Sequence, residues 1–90
     1  MTDGTAVLRR CASINDPYAT VRVSNPNGRD GSFTVRVSFK DRQGGTVMDT
    51  TDRVSVPAKD SATVRVPVPG TGRVDEIDHC EVDPRATAER

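Results

Sequence analysis

Strict alternation of apolar and polar residues is the feature that most constrains this chain. From Phe33 to Phe39 the sequence reads Phe-Thr-Val-Arg-Val-Ser-Phe, with every apolar side chain at an odd position. Successive side chains of a β-strand point to opposite faces, so such a run buries one face and exposes the other to water. We therefore predict a strand with Phe33, Val35, Val37 and Phe39 on its buried face.

Two further runs, residues 19–23 and 62–68, alternate in the same way, and helical periodicity is not found. Their predicted inward sets are Ala19, Val21 and Val23 in the first run and Ala62, Val64, Val66 and Val68 in the second. β-branched valine and threonine suit such half-buried surfaces. The sequence therefore predicts an all-β fold, an antiparallel β-sandwich of about seven strands.

Clusters of turn residues separate the alternating runs. Residues 25–31 carry an Asn-Gly pair suited to positive φ and predict a hairpin with a longish loop, and residues 41–45, 57–61 and 67–72 predict further turns. Val47 and Thr51 share a parity that Val54 and Val56 violate, so we expect a bulge or strand break near Thr51 or Asp52.

Length and charge restrict the organisation and the partners. Ninety residues make one domain, which we place at residues 5–83 between disordered tails at 1–4 and 84–90. Thirteen basic and thirteen acidic residues cancel, so the chain lacks the field that would attract nucleic acid. No stretch is apolar enough to enter a membrane, and the first residues lack signal-peptide features, so we expect an exported protein to carry this chain as a fragment of a longer one.

Two cysteines stand near the ends of the chain, Cys11 and Cys80. A bond between them would join the terminal strands and, in the loop-entropy model, stabilise the fold by roughly 4 kcal/mol. We expect this disulfide, because a small valine-rich core gains much from it. The alternative is a pair of free thiols in a cytosolic protein, whereas a structural zinc site would need four ligands.

A series of motifs runs from Ala6 to Val82: the early Cys11, VRVSNP, FTVRVSFKDRQGGTV, VPAKDSATVRV and the late Cys80. In these motifs the chain resembles the FxLYD-type immunoglobulin-like domains of secreted or lipid-anchored bacterial proteins, especially of actinobacteria. The five positions of the naming motif read VSFKD at residues 37–41 and keep its aspartate. The resemblance implies an immunoglobulin-like sandwich in an extracytoplasmic module, secreted or attached to a membrane or wall anchor.

Candidate chemical groups are few. His79 lies beside Cys80, but neighbours on a strand point to opposite faces, so we expect no Cys–His nucleophile and no enzyme. Asn25, Asn27 and Asp30 could offer oxygen ligands to calcium, yet an EF-hand ligand is missing where Arg29 stands, and we predict an ordinary turn without metal or cofactor.

Charged residues offer two candidate patches. Arg22, Arg36 and Arg65 should project from solvated strand faces, without interleaved aromatics for stacking nucleic acid bases. Arg9 and Arg10 should approach the acidic last strand if the disulfide forms. Its acidic residues are Asp75, Glu76, Asp78, Glu81 and Asp83. We interpret the acidic strand and its arginines as cross-strand charge pairs rather than a recognition patch. We interpret the three strand-face arginines as solvated faces with charge at sheet edges.

These observations lead to a function class. We expect a monomeric, non-catalytic, extracytoplasmic module that acts as an interaction or spacer domain and contacts, if anything, another protein. The rival hypothesis is an intracellular or virion structural or assembly protein with free thiols.

Overall fold

The alternating runs form antiparallel strands in the computed structural model, which describes residues 2–69 and 74–89. Seven strands and one 3₁₀ helix are found there. They are β1 (Gly4–Arg10), β2 (Tyr18–Ser24), β3 (Gly31–Lys40), β4 (Thr46–Val56), β5 (Ser61–Pro67), the 3₁₀ helix (Val74–Glu76), β6 (His79–Val82) and β7 (Arg85–Ala88). The prediction of an all-β fold is confirmed.

The described strands form a single curled sheet in the order β4-β3-β7-β1-β2-β5, with β6 paired to β3 beside β7. Strand β7 joins the two halves, because Ala88 pairs with Phe33 on β3 while Ala86 pairs with Gly4 on β1. The two ends of the order, β4 and β5, contact each other, so the sheet nearly closes into a barrel.

The apolar interior lies inside this curl. Phe33, Val35, Val37 and Phe39 are fully buried, as predicted for the longest alternating run. Ala19, Val21 and Val23 are likewise fully buried. In the third run Val66 and Val68 are buried, whereas Ala62 and Val64 are only partly covered.

The loop at residues 25–31 differs from its prediction. Strand β2 pairs with β1 and β5, and β3 pairs with β4, β6 and β7, so the predicted hairpin between β2 and β3 is wrong. The loop instead carries the chain from one half of the sheet to the other. Turn chemistry reports where a strand ends but not which strand pairs next.

The turn at residues 41–45 does connect a hairpin, β3 to β4. Gly44 adopts a positive φ of 84°, a conformation that glycine takes without steric cost. Asp41 Oδ1 accepts the amides of Gln43 at 3.0 Å and Gly45 at 2.8 Å and so fixes the turn. The predicted turn at 67–72 falls partly on residues 70–72, outside the described residues.

The predicted bulge near Thr51 or Asp52 is also wrong. Strand β4 runs through both residues, and the register shifts at its start, where Phe39 pairs with Met48 and Lys40 pairs with Thr46. Val47 is therefore the extra residue, which explains why its parity differs from that of the later valines.

Both chain ends are more ordered than predicted. Arg85–Ala88 forms β7, with Ala86 and Ala88 buried, so the predicted tail at 84–90 is wrong for these residues. Gly4 begins β1, and Asp3 Oδ1 accepts the Ala88 amide at 2.8 Å. Because alanine side chains are small, Ala86 and Ala88 can be buried without producing a marked alternation of apolar and polar residues in the sequence. Met1 and Arg90 lie outside the described residues.

Candidate interaction surfaces

Cys11 and Cys80 form a disulfide with a Cα–Cα distance of 5.5 Å across a sequence separation of 69. Cys11 follows β1 directly, and Cys80 lies in β6, opposite Phe39 on β3. Strand β1 has no ladder with β6 or β3, and so the bond connects two halves of the sheet that otherwise meet at this end only by packing.

His79 is exposed beside this bond. Its Nδ1 lies 3.1 Å from Asp78 Oδ2. The sulfur of its neighbour Cys80 is bonded to Cys11, and therefore no thiolate is present there to act as a nucleophile. The pair does not form the nucleophile and base that cysteine hydrolases need.

Asn25 is the one polar residue that is buried in the described chain, with 3% of its surface exposed. Its Nδ2 shares two hydrogens among three carbonyls, those of Arg29 at 3.0 Å, Val56 at 3.1 Å and Pro57 at 3.2 Å. Its Oδ1 accepts the Asn27 amide at 2.9 Å. The side chain thus ties the β2–β3 loop to the end of β4.

Each candidate calcium ligand is engaged in this way. Asn27 Nδ2 donates to Asn25 Oδ1 at 2.9 Å, and Asp30 Oδ1 accepts the Ala58 amide at 2.9 Å. Among the described residues, no three His, Cys, Asp or Glu side chains come together as they would around a metal ion. Sequence reasoning weighed Asn25 only as a turn or ligand residue, although its odd number continues the inward set of β2.

The arginines considered as a basic patch are exposed, as expected for solvated strand faces, and each has its own partner. Arg22 donates to Ser61 Oγ from Nε at 3.1 Å and from Nη2 at 2.9 Å. Arg36 lies 3.3 Å from the carboxylate of Asp49. The three arginines thus lie on three different strands and have different partners.

Asp16 forms ion pairs with two arginines, Arg65 on β5 and Arg10 on β1. Arg65 Nη2 lies 3.1 Å from Asp16 Oδ1, and Arg10 Nη1 lies 3.7 Å from Asp16 Oδ2. The Arg65 guanidinium also stacks 4.3 Å from the centroid of the Tyr18 ring. Sequence reasoning missed this cluster, although cross-strand diagonal pairing makes such contacts common.

The predicted pairing of Arg9 and Arg10 with the acidic last strand is not what the structure shows. Arg10 pairs with Asp16, in the loop after its own strand. On β6, Glu81 instead lies 3.6 Å from Lys40, its diagonal neighbour on β3. The disulfide brings the two strands together without bringing these charges together.

Asp49 carries the one resolved pKa shift among the described residues. The Ser38 hydroxyl donates a short hydrogen bond to its Oδ1, and this bond lowers the pKa of Asp49 below its ordinary value. Desolvation partly opposes this lowering of the pKa, and a hydrogen bond and a favourable charge from Arg36 lower the pKa further.

Strands β4 and β5 are the edges of the described sheet. The carbonyl of Lys40 on β3 accepts the Asp78 amide at 2.8 Å and so points away from β4. Main-chain groups alternate sides along a strand, so the adjacent Phe39 bonds toward β4, where it pairs with Met48. By the same alternation, the main-chain N–H and C=O groups of odd-numbered β4 residues point to the open edge. Arg53 is one of these residues.

Both edge strands contain residues that hinder pairing with a further strand. Asp52 Oδ1 accepts the Arg53 amide at 2.8 Å, and Asp60 Oδ1 accepts the Ser61 amide at 2.8 Å at the start of β5. At the other end of β5, Pro67 has no amide hydrogen to offer. Carboxylates and proline at such positions prevent edge-to-edge association.

A shallow groove of about 410 Å³ lies at the disulfide end. Ile14 on its rim is 72% exposed, the largest exposure of a bulky apolar side chain in the described chain. Val74 and Ile77 line it with the carboxylates of Asp75 and Asp78. The groove therefore combines apolar and anionic groups.

No protein-family model, curated protein or solved structure matches this chain. No helix of the described chain is long and apolar enough to cross a bilayer.

Proposed function

We propose that this chain is a non-catalytic, extracytoplasmic interaction module of a longer exported bacterial protein. In this proposal its curled sheet is an immunoglobulin-like sandwich of the FxLYD type. The observation that carries the proposal is the Cys11–Cys80 disulfide. Structural disulfides form and persist in oxidising compartments and are rare in the cytosol.

The position of the bond supports a stabilising role. It closes a ring across a sequence separation of 69 at the end of the sheet where β1 has no ladder partner on the other half. A ring of this size is worth about 4 kcal/mol in the loop-entropy model. The core beneath it consists mainly of valine and alanine, with Phe33 and Phe39 as its only fully buried aromatic side chains among the described residues.

The arrangement of the chain ends favours an interaction module over an in-line spacer. Gly4 pairs with Ala86, and Asp3 bonds the Ala88 amide, so both ends leave the same end of the sheet. Cys11 lies beyond the far end of β1, roughly 20 Å away at the rise of a seven-residue strand. A longer chain would enter and leave at one end, and the disulfide end would project away from it.

The groove at this projecting end indicates the chemistry of a partner. Ile14 offers an exposed apolar contact, and Asp75 and Asp78 offer negative charge beside it. We propose that it binds a protein segment with an apolar side chain next to lysine or arginine. Charge complementarity of this kind favours specific encounter.

The compartment is tested by the thiols of the protein as its source makes it. Cells are lysed in an alkylating agent without reductant, and the intact mass of the protein is measured. We expect no alkylated cysteine, and a mass gain of two hydrogens after reduction. Two alkylated cysteines would instead support the rival hypothesis of an intracellular or virion assembly protein.

Binding is tested with a random peptide library selected against the folded protein. We expect enrichment of peptides with an apolar residue beside lysine or arginine, lost in Ile14→Asp. Val7→Asp is the matched control, because Val7 is also exposed, at 54%, but lies on β1 outside the groove. Peptides that bind both variants equally, or no enrichment at all, would contradict the interaction role and leave the spacer role.

A further inference from the structure

We infer that Asn27 is a site of spontaneous deamidation, and that the N-terminal segment controls its rate by docking on the Asn27 side chain. This modification site lies in the β2–β3 loop, at the end of the sheet opposite the groove, and is independent of the proposed function. Gly28 follows Asn27 and is exposed. A Cβ at Gly28 would meet no atom within 4 Å apart from its two chain neighbours, so no other segment crowds this residue.

The reaction needs only water. The Gly28 nitrogen loses its proton to solvent base and forms a bond to Asn27 Cγ. The Cγ–Nδ2 bond breaks, and the nitrogen leaves as ammonia, which gives a five-membered cyclic imide. Water then opens the imide at either carbonyl, so that residue 27 becomes aspartate or isoaspartate, with a mass gain equal to replacing NH by O.

The N-terminal segment restrains this reaction. The Thr2 amide donates to Asn27 Oδ1 at 2.9 Å, and Asn27 Nδ2 donates to the Thr2 carbonyl at 2.9 Å. Nδ2 also donates to Asn25 Oδ1 at 2.9 Å, so both of its hydrogens have acceptors. Cγ must turn toward the Gly28 nitrogen for the ring to close, and these hydrogen bonds oppose the turn.

Deamidation would remove the hydrogen bonds that the Asn27 side chain donates. A carboxylate at residue 27 has no hydrogen to donate, so the bonds to the Thr2 carbonyl and to Asn25 Oδ1 are lost. Isoaspartate also lengthens the main chain at residue 27, whose carbonyl accepts the Lys59 amide at 3.0 Å. Deamidation is therefore a one-way change that weakens the attachment of the N-terminal segment to the loop, because only the bond from the Thr2 amide to an oxygen of residue 27 can remain.

The experiment follows deamidation of the full chain at neutral pH by peptide mass mapping and isoaspartate labelling. We expect the native protein to react at least roughly tenfold more slowly than the same chain in urea, because more than one hydrogen bond must break. Thr2→Pro removes the amide hydrogen that Asn27 Oδ1 accepts and should speed the native reaction about fivefold, the value of one ordinary hydrogen bond.

Two variants serve as controls. Thr2→Ala keeps both main-chain contacts to Asn27 and should react at the native rate. Gly28→Ala places a methyl group beside the attacking nitrogen and should stay unmodified over the same interval, folded or in urea. Equal rates in the native and urea-treated chain, or no acceleration in a folded Thr2→Pro, would overturn the control by the N-terminal segment. No reaction in urea, or reaction of Gly28→Ala at the wild-type rate, would overturn the site itself.

Discussion

The carboxylate of Asp52 accepts the main-chain amide of Arg53 at 2.8 Å, on the open edge of β4. The side chain thus occupies a donor that a further strand would need. We predict that Asp52→Ala associates through β4 while the wild-type chain stays a monomer. Sedimentation velocity at equal concentrations measures this difference.

The controls separate the hydrogen bond from the charge. Asp52→Asn keeps an oxygen acceptor for the Arg53 amide and should associate less than Asp52→Ala. Asp75→Ala makes the same change of net charge outside the strands and should remain monomeric. A folded Asp52→Ala that also remains monomeric would show that the bond does not protect the edge.

Replacing the buried Asn25 should destabilise the fold. Asn25→Ala leaves the carbonyl of Val56 without its buried donor, and we expect a loss of about 1–3 kcal/mol in the free energy of unfolding. Asn15→Ala changes an exposed asparagine and should alter stability by less than about 0.5 kcal/mol. Urea unfolding of both variants measures the difference, and equal midpoints would refute the role of Asn25.

The pKa of Asp49 should depend on the Ser38 hydroxyl. Ser38→Ala removes the main cause of the lowering, and the pKa of Asp49 should rise toward its ordinary value of 3.8. A pKa lowered by folding stabilises the folded state above the unfolded pKa, and this contribution is lost as the pH falls through the folded value. Ser38→Ala should therefore make stability less dependent on pH in that acidic window.

NMR titration of the Asp49 side chain provides the measurement. Thr34→Ala, which removes another hydroxyl from the same face of β3, should leave the Asp49 pKa unchanged. An Asp49 pKa that Ser38→Ala fails to raise would exclude the hydroxyl as the cause.

Gly4 should tolerate no side chain. A Cβ there would collide with the carbonyl oxygen of Ser24, a main-chain atom of the neighbouring strand that cannot move aside cheaply. We expect Gly4→Ala to cost about 1–3 kcal/mol of stability, as other overpacked sites do. Gly28→Ala, with open space around the new methyl group, should change stability by less than about 0.5 kcal/mol. Thermal unfolding compares the pair, and equal melting temperatures would show that β1 and β2 separate easily.

Alternation made much of this fold predictable from sequence. Phe33 to Phe39 and Ala19 to Val23 occupy the buried positions that their parity predicts. The pairing of strands is harder to predict from sequence. The alternation of apolar and polar residues determines which face of a strand is buried, but not which strand lies beside it. This is why the β2–β3 connection was mistaken for a hairpin.

Other features could not be predicted because their residues are small or are distant from one another in sequence. Strand β7 has only four residues, and its buried side chains are Ala86 and Ala88, too small to stand out in a hydrophobicity pattern. The role of Asn25 depends on carbonyls from residues 29, 56 and 57, which only the fold brings together. The groove beside Ile14 likewise joins segments distant in sequence.

The most direct test measures urea unfolding of the oxidised chain against the chain with both Cys11 and Cys80 replaced by serine. We expect the free energy of unfolding to fall by about 4 kcal/mol, which is a large share of the stability of a domain of this size. The two midpoints would then lie far apart. Coincident unfolding curves would contradict the claim that a covalent link between the two halves of the sheet holds this domain closed.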